Sequence, residues 1–442
     1  MVELIFIIIN FFLFYFLLTF NIFVIDKGSS KINNFTLIEN INFNSIILLS
    51  FILFASFLNL SLNHIIILYF SYLLILLILY LNKFKTVFVF KKKEIFYLLT
   101  LFIVSCTVFL EIANNLIIAW DAQKFWIYKT LNFYNGNSIS NLSNIPNSWY
   151  PYLGSLAWSF FWKISLIDNE YTGRLFFALL YLSSLLMLVS NLKVSLIFKI
   201  ILFIIFIIIS YDYTYHSHWS MFAGNQEILI FSLICIAMHF FYKMTFKKEN
   251  FSNVNILSIL IISNLLIWIK HEGLILSSLL IITLLLFFKI NRPKKVYIFL
   301  SFLGILFLRY FIFEYYGLNS SNIQHVGYND LSLSSIIEKI SFDRILIVTK
   351  IVFLNLFSNY LLLLGIILIC LFFISKNGFS KINYIIFFGG SNLLCFSFLY
   401  LITDADITYM LETGIDRIIY QFSPFIFLLF IEYFNSVKKI KV

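Results

Sequence analysis

The chain has 442 residues, 61% of them hydrophobic and only 12% charged. That excludes a soluble globular domain, in which charged residues make up about a quarter. The formal charge of +10 does not point to nucleic acid, because the basic residues gather in short loops between apolar runs, where they set membrane orientation. The wealth of Phe, Ile, Asn and Lys, with 14 Gly and 4 Pro, is what an AT-rich coding sequence gives, so abundance alone carries no argument. Cys106, Cys235, Cys370 and Cys395 lie singly inside apolar runs without metal-ligand spacing and read as small buried residues.

Apolar runs of about 17 to 25 residues recur along the chain, the length a helix needs to cross a hydrocarbon core. The alternation of a membrane barrel is missing. The first run, Leu4–Val24, lacks a basic leader and a small-residue cleavage site, so it reads as a span rather than a removable signal. It and the next two spans, all before Lys83, carry few ionisable residues and read as accessory. We therefore divide the chain into accessory helices (1–94), a core (95–316, including an outer loop at 120–170), and an outer loop with C-terminal helices (317–442).

The basic loops Asn82–Glu94, Tyr242–Asn250, Asn291–Lys295 and Ser375–Lys381, with the tail Lys438–Val442, all fit the cytoplasmic face. The span Ile95–Ala119 then leads outward to Asp121. The segments Tyr211–Glu227, Lys270–Gly273, Gly317–Arg344 and Asp404–Arg417 come out on that same outer face, with one span somewhere within Ile345–Ile374. The alternation holds only if Trp149–Leu166 does not cross. It is expected to lie in the outer interface as an amphipathic helix, with Trp149, Tyr150, Trp158 and Trp162 at headgroup depth. A second such helix is expected from Asp121 to about Tyr134, closed by Gly136 as C-cap. The expected fold is an all-α polytopic membrane protein of about thirteen spans with these two interfacial helices in its first large outer loop.

Ionisable residues at span ends on one face form a polar cavity over a bilayer, which suits a lipid-linked anionic substrate. Asp121, fixed between a span and an interfacial helix, suits a general base that takes a proton from a hydroxyl; it equally suits an N-cap. Arg417, after "TGID", offers a planar fork of donors to a phosphate, or an ion pair to Asp416. In "WIKHEGL", Lys270 suits a phosphate, and His271 and Glu272 suit substrate hydroxyls. Glu170 and Arg174 in "EYTGRLFF" are spaced for an i, i+4 pair, beside the cavity or as a brace. His216, His218 and Glu227 make a weak metal set, since histidines at i, i+2 do not share a helix face. A divalent cation is the one cofactor these residues leave open. There is no P-loop, nucleophile elbow or HExxH, so ATP-driven transport has no support.

In order, a carboxylate at a span end, an interfacial helix, "NSWYPYLGSLAWSFFWKI", "EYTGRLFFALLYL", "KHEGL" and a closing "DRIIYQFSPFIFLL" resemble the GT-C fold of polyprenyl-phosphate-sugar glycosyltransferases. Members include the protein O-mannosyltransferases and the aminoarabinose transferases of lipid A. The resemblance covers roughly 95–434. It implies inverting transfer of a sugar from a polyprenyl-phosphate donor to a glycan, lipid or protein hydroxyl. The site would lie on the outer, periplasmic face of a bacterial inner membrane. Asp121 matches the family's first-loop carboxylate, the expected base; Arg417 and Lys270 would be the donor-phosphate candidates; His271, Glu272, Arg174 and Glu170 would face substrate. The chain departs from relatives in having Ala122 where many carry a second acidic residue, "SWYPYL" before the second loop helix, and three extra N-terminal spans. Two alternatives stand beside it: an O-antigen ligase or polymerase, which would use the loop Gly317–Arg344 with His325, Glu338 and Arg344, and a lipid-linked glycan transporter or flippase, which would place charges at mid-span.

Overall fold

The structure is a computed structural model that describes residues 2–25, 36–80, 92–216, 221–246, 253–318, 333–374 and 379–438. Every regular element among them is helical. Seven of the described helices are long and apolar enough to cross a membrane, or up to nine if each of two bent pairs is one span, and four shorter apolar helices accompany them. The protein is thus an all-α, multi-pass membrane protein by the length and composition of its helices.

The centre is built by α7 (Tyr171–Val189) and α9 (Glu227–Phe246), which pack against each other. All of α7 and 94% of the α9 window are buried. Both are apolar on every side, which is the pattern of a helix surrounded by other helices rather than one with a single inner stripe. Around them stand α2 (Leu37–Phe57), the pair α10 (Asn253–Ile269) and α11 (Glu272–Phe287), and the bent pair α17 (Ile407–Phe422) and α18 (Pro424–Lys438). The accessory helices α1 (Val2–Ile25) and α3 (Leu62–Tyr80) pack on α2. By contrast α4 (Lys92–Asn114), α8 (Leu196–His216) and α12 (Arg292–Tyr315) are buried over only 28% of their windows, so their apolar outer faces are left for lipid.

The first outer loop begins with a π-helical turn, Ala122–Trp126, that runs into α5 (Ile127–Tyr134). Gly136 ends it as expected: with φ +86° it lets Gly136 N–H bond the Phe133 carbonyl (2.9 Å) and Asn137 N–H bond the Asn132 carbonyl (3.2 Å), the paired bonds of a Schellman cap. The helix α6 (Leu153–Ile164) has 12 residues, about 18 Å, well short of a hydrocarbon core of about 30 Å. It does not span, as the charge alternation demands. It is not a helix lying on the surface, however: its residues from Leu153 to Phe161 are buried against α2, α3, α5, α7 and α10. Trp158, expected to face the headgroups, faces protein instead. It is fully buried, and its Nε1 donates to the Glu170 carbonyl at 3.2 Å. Phe161 stacks on Phe176 of α7 with ring centroids 3.8 Å apart, worth about 1 kcal/mol beyond its buried area.

Beyond α12 come α13 (Leu333–Lys339), α14 (Phe342–Ser358), α15 (Tyr360–Ile374) and α16 (Phe379–Leu401). The segment 345–374, expected to hold one span, forms α14 and α15, bent by 76° at Asn359, and α17 bends by 43° into α18 at Ser423. Pro424 explains the second bend, since it has no N–H to continue the ladder.

Candidate functional site

The start of α9, the turn after α10, the segment after α4 and the middle of α17 bring charged groups from remote parts of the chain to one place; Arg417, expected at the head of the last span, lies within α17 instead. Glu227, the first residue of α9, is fully buried. One of its oxygens, Oε1, meets Lys270 Nζ at 3.0 Å and Arg417 Nε at 2.8 Å, with Arg417 Nη2 close to the same atom. Arg417 Nη2 also pairs with Asp121, and Lys270 also pairs with Glu272 at 2.9 Å. The result is a continuous chain of alternating charge: Asp121, Arg417, Glu227, Lys270, Glu272. Four of its members are sequence candidates, and the structure brings them together. Its hub, Glu227, was expected only in a weak metal set. Among the described residues no three His, Cys, Asp or Glu side chains converge on a metal position. The His216 side chain and His218, the other members of that set, lie outside the described residues, as does His325.

Each pairing has a local cause. The Asp121 backbone is already helical and its side chain makes no capping hydrogen bond, so the carboxylate turns to Arg417 instead of serving as an N-cap. The π-helical turn that follows adds a residue per turn and re-aims the side chains beside it, a frequent feature of functional sites. Arg417 does not pair with its neighbour Asp416. Asp416 Oδ1 accepts from Tyr213 hydroxyl at 3.1 Å and from Asn359 Nδ2 at 2.9 Å, which fixes α17 to α8 and to the bend of α14 and α15 and leaves Arg417 to Asp121 and Glu227. Lys270 is nearly enclosed: burial works against its charge, but Glu227 and Glu272 outweigh it and hold its pKa above the ordinary lysine value.

Two devices hold the loops around this chain. Arg174, buried on α7, pairs with Glu170 at 2.9 Å and spends its other donors on the carbonyls of Ile117 (3.2 Å) and Phe222 (3.1 Å). It ties the segment before Asp121 to the segment before Glu227, assisted by the Ala119 N–H to Ala223 carbonyl bond at 2.9 Å. Glu170 and Arg174 are therefore a brace behind the site. Burial raises the Glu170 pKa, opposed by Arg174. On the other side Lys129 of α5 is fully buried and donates to the carbonyls of Ser148 (3.5 Å) and Tyr150; desolvation pushes its pKa well below the ordinary lysine value. That clasp sets Trp149 and Tyr150 against His271, Trp149 stacked at 5.2 Å and Tyr150 edge-on at 4.8 Å. Burial, then the charge of Glu272, raises the Tyr150 pKa, so its hydroxyl stays protonated.

The site thus has one aromatic wall, a floor of alternating charge, and buried acceptors to spare: Oε2 of Glu227 and Oε2 of Glu272 have no hydrogen-bond partner among the described residues. Of the other outer candidates, Asp406 caps α17 by accepting from Tyr409 N–H at 2.9 Å, Asp404 pairs with Lys339 at 2.6 Å, and Arg344 donates to the carbonyls of Leu401 and Thr403. They brace the C-terminal helices and do not join the charged chain. Compared with known proteins, the sequence and structure match no family model, no curated protein and no solved structure.

Proposed function

We propose that the chain is a membrane glycosyltransferase of GT-C-like architecture with about thirteen spans. It moves a sugar from a polyprenyl-phosphate donor to a hydroxyl of a glycan, lipid or protein, on the outer face of a bacterial inner membrane. The observation that supports this reading most is Arg417 held between Asp121 and Glu227, with Lys270 on the far side of Glu227. Two cations and a partly exposed carboxylate side by side are the groups that displacement of a phosphate by a hydroxyl requires.

The chemistry follows from those groups. The acceptor oxygen forms a bond to the anomeric carbon as the bond from that carbon to the phosphate oxygen breaks, with inversion. The hydroxyl proton goes to Asp121, the carboxylate beside Arg417. The phosphate leaves with the electron pair, and Arg417 and Lys270 stabilise the charge that develops on it. The spare oxygen of Glu272, a partly exposed side chain, accepts from a sugar hydroxyl, which answers its want of a donor. Trp149 and Tyr150, backed by His271, give the sugar a flat face. The reading is tested with purified protein in vesicles and a labelled polyprenyl-phosphate-sugar: label should pass to an added glycan or lipid acceptor in the wild type and not in Asp121→Asn. Donor consumed at equal rates by both proteins would sink it.

A second reading, a lipid-linked glycan transporter, draws support from another buried ionic group. Glu39 of α2 meets His239 Nε2 and Lys243 Nζ of α9, each at 2.8 Å, 12 and 16 residues along α9 from Glu227, or about 18 to 24 Å deeper. Movement of labelled donor across the vesicle bilayer without transfer of its sugar would bring this reading forward.

A further inference from the structure

His271 stands in the turn that carries Lys270 and Glu272, and what its ring can do depends on which nitrogen bears a proton. Arg309, a residue of α12 that no sequence motif marks, settles that question. It is 8% exposed. Its Nη1 donates to the Ile267 carbonyl of α10, and its Nη2 lies 3.0 Å from His271 Nδ1. A guanidinium has five N–H donors, no acceptor, and keeps its proton inside a protein. Between these two nitrogens Arg309 must therefore donate and His271 Nδ1 must accept. An accepting Nδ1 leaves the ring proton on Nε2.

Both partners are fixed in place. Ile267 is one of the last four residues of α10, whose carbonyls have no intrahelical donor, and the C-terminal end of a helix favours a cation. The Phe313 ring, one turn along α12, supports the same guanidinium at 5.3 Å. The imidazole is held by the outer loop, stacked on Trp149 and meeting Tyr150 edge-on. Turning the ring over would set a C–H against the guanidinium and lose its hydrogen bond. Protonating Nδ1 would set donor against donor and two positive charges 3.0 Å apart. The other titratable groups about the ring are Lys270 and Glu272 on its own turn and the Tyr150 hydroxyl. Lys270 is a further cation, and Glu272 has Oε1 on Lys270 at 2.9 Å. The surroundings thus oppose an imidazolium.

We propose that Arg309 is a positioning residue that keeps His271 a neutral imidazole with its proton on Nε2. In that form His271 gives a hydrogen bond to a substrate oxygen and exchanges no proton, as a neutral imidazole does wherever its environment keeps it from charging. It has no lone pair left with which to act as a base, so Asp121 alone receives the hydroxyl proton. That last step rests on the transferase reading; the state of the ring does not.

The test uses purified full-length protein labelled with nitrogen-15 in histidine, because the nitrogen chemical shifts distinguish a protonated ring nitrogen from an accepting one. The chain has 6 His, and His271 is assigned as the signal lost in His271→Gln. In the wild type its Nε2 should be protonated and its Nδ1 accepting, unchanged from about pH 5 to 8, the range in which an ordinary histidine titrates. In Arg309→Met the ring should titrate, with a midpoint within about one unit of the ordinary 6.5. Arg309→Lys, a cation that likewise only donates, should restore part of the wild-type signal. A wild-type ring that titrates over this range, or that carries its proton on Nδ1, would overturn the proposal whether or not the variants fold. So would an Arg309→Met ring with unaltered shifts. In the transfer assay His271→Gln should show the pH dependence of the wild type, and a limb of the profile that vanishes with His271 would make it a base and overturn the proposal. A ring locked as described in a protein that transfers no sugar would leave the lock standing and remove the transferase reading.

Discussion

Replacing Glu227 by Gln probes the hub of the charged chain with little change of shape. The carboxylate is fully buried and its Oε1 serves both Lys270 and Arg417, so the amide removes the charge that both cations share. Breaking a buried ion pair from one side costs about 3 to 5 kcal/mol. Each cation keeps one other carboxylate, Glu272 on Lys270 and Asp121 on Arg417, which places the expected loss at the lower end, about 3 kcal/mol. Thermal unfolding in detergent micelles measures it, together with Lys270→Met and the double variant Glu227→Gln/Lys270→Met. The double variant removes a cation along with its missing partner. It should therefore be less damaged than the sum of the singles, by up to about 3 kcal/mol for groups in one network. Losses that simply add, or a Glu227→Gln protein within about 0.5 kcal/mol of the wild type, would refute Glu227 as the hub.

Other outcomes follow from the same geometry. Arg417→Ala leaves Asp121 and Glu227 without their shared cation and should abolish use of the donor; unchanged donor affinity would remove its phosphate role. Lys270 has its pKa raised in the folded state, so its charge contributes fully below the ordinary lysine pKa of about 10.4 and is lost only as pH rises through the higher folded value. The difference in unfolding temperature between wild type and Lys270→Met should accordingly be the same at pH 6 and 9, and a difference that shrinks by pH 9 would contradict the pairing. Gly173→Ala would put a Cβ 2.3 Å from the Trp158 carbonyl oxygen, backbone that cannot swing aside. It should cost about 1 to 3 kcal/mol in unfolding, and a neutral result would mean that α6 and α7 are not so closely packed. A cysteine at Leu166, which is 59% exposed, should react with a membrane-impermeant thiol reagent added to the outer face; labelling only after permeabilisation would reverse the topology.

Much of the fold was legible because lipid imposes a simple rule. Long apolar runs had to be helices, and the basic loops had to share a face. That rule alone singled out α6, which is too short to cross by itself, while the preference for glycine past a helix end placed the end of α5 at Gly136. What it could not give was burial. Apolar and aromatic residues look alike whether they face lipid or protein, so Trp158, expected at the headgroups, turned out to be enclosed between α6 and α7. The bend at Asn359 carries no Pro or Gly, and its cause, the bonds from Asn359 to Asp416 and Tyr213, joins residues 57 and 146 positions apart.

The site was legible in part for the same reason. Asp121, Lys270, Glu272 and Arg417 were all expected on one face by the charge alternation, which collected them although Arg417 lies within α17 rather than at its end. Glu227 stands at such an end too, but its partners are 43 and 190 positions away, and nothing local distinguishes a hub from a helix start. Arg174 read as half of an i, i+4 pair with Glu170; its bonds to Ile117 and Phe222 carbonyls are contacts with backbone, which no side-chain pattern announces.

The central claim, a transferase with its base at Asp121, is tested most directly in cells by exchanging Asp121 for Asn and following two pools, the lipid-linked sugar and the finished surface glycans. The account predicts that the variant accumulates in the membrane at the wild-type level, that the lipid-linked donor builds up, and that the surface product disappears. Undiminished surface product with an unchanged donor pool would contradict it, and would leave Asp121 as no more than the carboxylate that steadies Arg417.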